Sequence, residues 1–142
     1  MPDSITTEKN KRIYKQFIQE IFNEGRFEKL DELVSPTYVL RDAPAGIPTG
    51  HEAVKQSAAM FRTAFPDLKI VIEDLIAEGE MVAARSTLSG THRGIIFGIA
   101  ATGRTVKMPS LTMVRITDGL LCESWVRSDT VGLMNQLGSE KK

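Results

Sequence analysis

The run Val106-Lys107-Met108-Pro109-Ser110-Leu111-Thr112-Met113-Val114-Arg115-Ile116-Thr117, the pair Asp118-Gly119, and the run Leu120-Leu121-Cys122-Glu123-Ser124-Trp125-Val126-Arg127-Ser128 read as one long β-hairpin. Two strand-like runs joined by Asp-Gly give the strongest short hairpin signal a sequence offers. A type I′ turn at Asp118-Gly119 opposes Thr117 to Leu120, Val114 to Glu123 and Thr112 to Trp125. Side chains alternate along a strand, so Glu123, Trp125, Arg127 and Asp129 then share a face with Met108, Ser110, Thr112 and Val114. That mixture of apolar walls and a few polar groups predicts a small-molecule pocket. The opposite face, with Leu111, Met113, Cys122 and Val126, is expected to pack on a second subunit, giving a homodimer through the sheet.

Working outward, Leu68 to Ala77 and Met81 to Thr91 flank a Glu78-Gly79-Glu80 turn and predict a second long hairpin. Upstream the period becomes helical. Ile13, Tyr14, Phe17, Ile18, Ile21 and Phe22 define an amphipathic helix ended by Gly25, and Phe27 to Val34 a short second one stopped before Pro36. Tyr38 to Asp42 is a short strand, the Pro- and Gly-rich stretch 43–50 a loop, and His51 to Phe65 a third helix ended by Pro66. Val131 to Leu137 is a short C-terminal helix. The order of elements predicts an α+β fold, with three N-terminal helices covering one face of an antiparallel sheet.

The 142 residues suit one domain, 1–142, and 18 basic against 18 acidic residues leave no net charge. Without a basic field, nucleic acid and membrane surfaces are not expected partners; a small molecule is. Cys122 is the only cysteine and no apolar signal segment stands at the N-terminus, which points to a cytoplasmic protein. His51 and His92 are the only histidines, and their separation offers no metal-binding pair. Glu140-Lys141-Lys142 reads as a frayed tail.

Asp129 has two readings. Half-buried beside Trp125 it would lose hydration, rise in pKa and serve as a general acid/base; standing directly before a helix, it would cap that helix. His92, at a strand end, could polarise a carbonyl or share a proton with Asp129, or be a loop-edge residue. His51 is expected at the surface. Arg85 and Arg127 are candidates for holding a ligand oxygen, or for ion pairs with Asp42 or Glu123. Trp125 would be a flat wall for a ring system, with Phe61, Phe65, Met60 and Met108 closing the pocket. No nucleophile elbow or phosphate loop occurs.

Several of these stretches also carry a resemblance: Phe65-Pro66-Asp67-Leu68, Val82-Ala83-Ala84-Arg85, Gly90-Thr91-His92-Arg93-Gly94, Thr102-Gly103-Arg104, Arg115 to Gly119, and Glu123-x-Trp125-x-x-x-Asp129 leading to Gln136-Leu137-Gly138. Together they resemble the SnoaL-like polyketide cyclases of the nuclear transport factor 2-like (NTF2-like) superfamily. The resemblance implies a cone-shaped, strongly curved antiparallel sheet around a deep pocket, and a homodimer. It also implies ring closure of aldol type without cofactor or metal, using the aspartate that matches Asp129. Two other readings belong to the same superfamily. One is water addition of the limonene-epoxide-hydrolase type, if Asp42, Arg85 or Arg127, and Asp129 come together. The other is a binding module without turnover.

Overall fold

The computed structural model describes residues 2–138; the C-terminal tail lies outside the described residues. Helix α1 (Pro2–Phe17) continues into a π-helical stretch, Ile18–Asn23, in which Glu24 N–H reaches back to Gln19 O. A π-turn widens the helix and is uncommon, so it marks a local demand on packing. A 3-10 turn (Phe27–Lys29) leads into α2 (Leu30–Leu33) and strand β1 (Val34–Leu40). Helix α3 (His51–Ala64) follows the loop, then β2 (Lys69–Glu78), β3 (Met81–Thr91), β4 (Thr105–Thr117), β5 (Leu120–Ser128) and α4 (Thr130–Gln136). The other helices and the four long strands fall close to where the periodicity put them, but β1 begins at Val34 instead of Tyr38 and ends at Leu40 instead of Asp42, so Ser35-Pro36 lie in the strand and α2 is cut to Leu30–Leu33.

The sheet has the order β1-β5-β4-β3-β2. It is mixed rather than wholly antiparallel: β1 runs parallel to β5, with Val34 beside Leu121 and Leu40 beside Ser124. The crossover through α3 and the first two hairpin pairs makes this possible, because a parallel pair needs a long connection and here receives one. All other pairs are antiparallel.

The type I′ turn is as expected, with φ of 52° at Asp118 and 82° at Gly119 and Thr117 opposite Leu120. Beyond it the register differs. Ile116 opposes Leu121 but Arg115 opposes Glu123, so Cys122 is an extra residue bulged out of β5. One inserted residue sends every later side chain to the other face. Trp125 therefore stands opposite Met113, not Thr112, and Arg127 opposite Leu111. The expected pocket wall of Glu123, Trp125 and Arg127 is corrected: these three join Leu111, Met113 and Arg115 on the outer face. Ser124, Val126 and Ser128 take the inner face instead.

The helices cover that inner face. Tyr14, Phe17, Ile18 and Ile21 pack with Val54 and Ala58 of α3 on Val82, Ala84, Val114 and Leu121 to make the larger core. Ala64, Phe65, Leu88, Met108, Leu133 and Leu137 make a second, smaller core where α4 folds over β4. Each large apolar side chain that is fully buried, such as Ile21 or Phe65, contributes about 1.5–3 kcal/mol. Asn23 ties the π-helical stretch to the sheet by bonding Ile70 on both sides, its Nδ2 donating to Ile70 O at 3.1 Å and its Oδ1 accepting from Ile70 N–H at 2.7 Å.

Candidate functional site

Between the two cores the helices stand off the sheet and leave a cavity of about 180 Å³. Its roof is Tyr14, Phe17 and Phe22 of the first helical stretch with Ser57 and Phe61 of α3; its floor is the inner face of β3, β4 and β5. The π-helical stretch lends Ile18 and Phe22 to this lining. The walls are apolar apart from hydroxyl groups: Tyr14, Tyr38, Ser57 and Thr112, and the serines at 86, 110, 124 and 128. The lining includes no Asp, Glu, Lys, Arg or His side chain.

Two of the hydroxyls are paired across the cavity. Burial pushes the Tyr14 phenol up to about 12, against a hydrogen bond with Thr112 that pulls it down. Burial likewise raises Tyr38, opposed by a hydrogen bond with Ser124. Both phenols are thus neutral and able to donate at any pH where the protein works. Tyr14 also lies close enough to Tyr38 to raise its own pKa further.

Of the residues expected at the site, Phe61, Met108 and Thr112 line this cavity. Asp129 does not. It is exposed, and its Oδ1 accepts from Gly132 N–H at 2.9 Å, so it is the N-cap of α4. The half-buried setting beside Trp125 is corrected: the bulge at Cys122 turns the indole to the outer face, and Asp129 has left the strand. A Cβ on Gly132 would fall 2.7 Å from Asp129 Cγ, so the bare backbone there leaves room for the carboxylate.

His92 is corrected from a loop edge to the interior. It is completely buried against Phe65, with ring centroids 5.8 Å apart. Its Nδ1 accepts from Thr102 N–H at 3.1 Å and lies 3.0 Å from Thr102 Oγ1, which places the ring proton on Nε2. His92 thus pins the segment between β3 and β4, and neither it nor Phe65 lines the cavity. His51 is half-buried instead of lying on the surface, its Nε2 2.7 Å from Val34 O.

The arginines are taken by ion pairs outside the cavity. Arg85 bonds Asp74 at 2.7 Å, a partner the sequence did not suggest, and Arg127 bonds Asp42 at 2.8 Å. Glu123 lies between Arg41 at 2.6 Å and Arg115 at 2.8 Å, and these two guanidiniums, Arg115 first, hold its carboxyl below the usual range. Asp42, Arg85 and Arg127 are therefore spread over the outer surface. The arrangement needed for water addition is not assembled in the cavity. The outer face itself forms a broad, open trough with Leu111 and Met113 exposed and Trp125 half-buried among the ion pairs. Being open, it is a surface and not an enclosure for a small molecule.

The sequence reading missed Tyr14 and Tyr38 as cavity residues and missed all the serines but Ser110. The signal for Ser86 was present in the alternation Val82, Ala84, Ser86, Leu88, all buried and all inward. No sequence signal marked the bulge that brings Ser124 and Ser128 inside. Among the described residues, no cluster of three or more His, Cys, Asp or Glu side chains is placed to hold a metal ion, and no helix is long and apolar enough to cross a membrane.

An α+β chain whose helices roof a cavity on one face of a mixed sheet has the NTF2-like architecture, and comparison with known proteins agrees. TsrD from Streptomyces laurentii superposes with a TM-score of 0.85 at 30% identity, over 93% of this chain and 96% of that one. The SnoaL-like polyketide cyclase family model matches residues 12–137. The nogalonic acid methyl ester cyclase of Streptomyces nogalater is 33% identical over 122 residues, covering 82% of this chain and 89% of its own. An aklanonic acid methyl ester cyclase of Streptomyces peucetius is 28% identical over 123 residues, covering 84% of each. The chain belongs to the SnoaL-like polyketide cyclase family and is an enzyme of the cyclase type.

Proposed function

We propose that the chain closes a carbon ring by a cofactor-independent, aldol-type reaction on an apolar carbonyl compound held in the cavity beneath the helices. The observation that carries this reading is the lining: apolar, free of charged side chains, and supplied with neutral phenols at Tyr14 and Tyr38. In an aldol closure a proton leaves the carbon next to one carbonyl, a C–C bond forms to a second carbonyl carbon, and the second oxygen takes up a proton. Nothing is oxidised or reduced. Donors fixed where negative charge develops on oxygen stabilise such a step, and their effect grows where water is excluded.

Asp129 is the proton acceptor in this reading. It lies outside the cavity lining, one residue beyond Ser128, and caps α4 through Oδ1, so it takes the proton only of a substrate that extends past Ser128 to the surface, where Oδ2 is left to accept it. A carbon acid activated from two sides, such as a methylene between a ketone and an ester, gives up its proton most readily, and the names of the related cyclases point to methyl esters. Purified protein given a neutral keto ester with a second carbonyl in reach should form a cyclic isomer of unchanged mass by LC–MS. A rate no higher than that of Tyr14→Phe combined with Asp129→Asn would overturn the reading. The exposure and capping role of Asp129 favour one second reading, a binding module without turnover, which that same null result would support.

The exposed outer face, with Leu111 61% and Ile76 69% accessible beside Trp125, supports a homodimer formed sheet to sheet. A cytoplasmic setting remains the expectation drawn from the single unpaired cysteine.

A further inference from the structure

The inward positions of β3 read Val82, Ala84, Ser86 and Leu88, and all of them are buried. Where a strand face is covered, a branched apolar side chain packs best. A serine forgoes that packing and still has a hydroxyl to satisfy. Ser86 is only 4% exposed, yet its Oγ meets no hydrogen-bond partner among the described residues. A buried hydroxyl left unpaired is costly, and native interiors seldom keep one without a reason. Ser86 therefore weakens the fold in two ways, and it does so facing the cavity. Positions that break the local rules tend to be functional ones.

The strand register sets Ser86 close to the Tyr14 phenol. Across the β3–β4 ladder Ser86 pairs with Ser110, and Ala84, the preceding inward residue, pairs with Thr112. Thr112 is the hydrogen-bond partner of Tyr14. Ser86 and Thr112 are thus diagonal neighbours, and both line the cavity. Such neighbours stand roughly 7–8 Å apart, their side chains somewhat less, and two hydrogen bonds of about 2.8 Å laid end to end span most of that gap. One oxygen lying between them can be met by Ser86 from one side and by the Tyr14–Thr112 pair from the other.

We propose that Ser86 is a further catalytic residue, donating its Oγ–H to the substrate carbonyl oxygen on which negative charge develops during ring closure. This rests on the cyclase reading for the chemistry. As the new C–C bond forms, the electron pair of the attacked carbonyl moves onto its oxygen, which is then protonated. Ser86 holds that oxygen by a hydrogen bond and neither gains nor loses a proton. Its partner is the oxygen of a neutral ketone or aldehyde, because the lining holds no cation to balance a carboxylate. A donor fixed before the substrate arrives, with no bond of its own to give up, acts most strongly on developing charge.

The test pairs turnover with a spectroscopic reading that needs none. Ser86→Ala should lower kcat for the neutral keto ester about ten- to a hundredfold, the value of a hydrogen bond to a charged oxygen, and raise KM by only about threefold, the value of a weak neutral one. The free variant should melt with the wild type or higher, because it loses an unpaired hydroxyl; melting several degrees lower would mark a structural serine and overturn the proposal. Acetophenone and fluorenone, neutral ketones of one and three rings labelled with carbon-13 at the carbonyl, are then bound to both proteins and read by isotope-edited infrared spectroscopy. At least one should saturate the site, with its C=O stretch at lower frequency in the wild type than in Ser86→Ala. Saturation by neither ketone, equal stretches in the two proteins, or ring closure by Ser86→Ala at the wild-type kcat each overturns the proposal, and the last leaves the cyclase reading standing. A lowered stretch in a wild-type protein that closes no ring overturns the cyclase reading and keeps Ser86 as the donor to the ligand oxygen.

Discussion

Replacing Asp129 by asparagine and by alanine separates its two roles. As the N-cap of α4 its carboxylate accepts the Gly132 N–H at 2.9 Å. Asparagine caps as well as aspartate, whereas alanine loses about 1 kcal/mol. For a chain of 142 residues, that corresponds to roughly 3–4 °C in melting temperature. Asp129→Asn should therefore melt with the wild type and Asp129→Ala a few degrees lower. If the carboxylate also accepts the substrate proton, both variants should lose about a hundredfold to ten-thousandfold in kcat/KM. The assay pairs calorimetry with LC–MS detection of the cyclic isomer. Asp129→Asn with wild-type turnover would refute the proton-acceptor role, because geometry and cap are kept and only the basic oxygen is lost. Equal melting of Asp129→Ala and wild type would refute the cap.

Tyr14→Phe keeps the ring in the core but removes a donor with a pKa of about 12; turnover should fall at least tenfold with melting little changed, as read by the same assays. Gly132→Ala would press a methyl against the Asp129 carboxylate, so activity should drop although alanine favours a helix by about 1 kcal/mol over glycine. Leu111→Glu on the exposed outer face should turn a dimeric mass into a monomeric one by light scattering, while a mass unaffected by it would refute packing through the sheet. Glu123 has its folded pKa lowered by Arg115 and Arg41, so its contribution is present above the unfolded pKa of about 4.3 and is lost as pH falls through the lower folded value. Glu123→Gln should therefore flatten the acid limb of the stability curve, by under about 1 kcal/mol since the arginines are exposed.

The elements were legible because helices and strands write different periods: Tyr14, Phe17, Ile18 and Ile21 sit on one helical face and are all buried, and Asp118-Gly119 makes the turn it advertises. The site was less so. A type I′ turn sets register only while the ladder stays regular, and the extra residue at Cys122 is silent in sequence because nothing about a cysteine between Leu121 and Glu123 demands a bulge. All errors about Glu123, Trp125 and Arg127 descend from it. Asp129 was read correctly in its plainer role, since a carboxylate ahead of a helix is a local signal. His92 misled because its burial depends on Phe65 and Thr102, partners that only the folded chain brings together. The parallel pairing of β1 with β5 was equally invisible, being a contact across some eighty residues.

The extra residue in β5 also has an evolutionary reading. Upstream of Cys122 and downstream of it, odd and even positions have swapped their allegiance to interior and exterior. A single-codon deletion there would restore even pairing and exchange the two populations wholesale, delivering an indole and a guanidinium to the cavity side and two serines and a valine to the other. In this architecture a short indel is thus a route to a new binding chemistry that no series of point changes reaches as directly. Relatives aligned without a gap through this segment can be compared side chain by side chain only after the parity of each has been established.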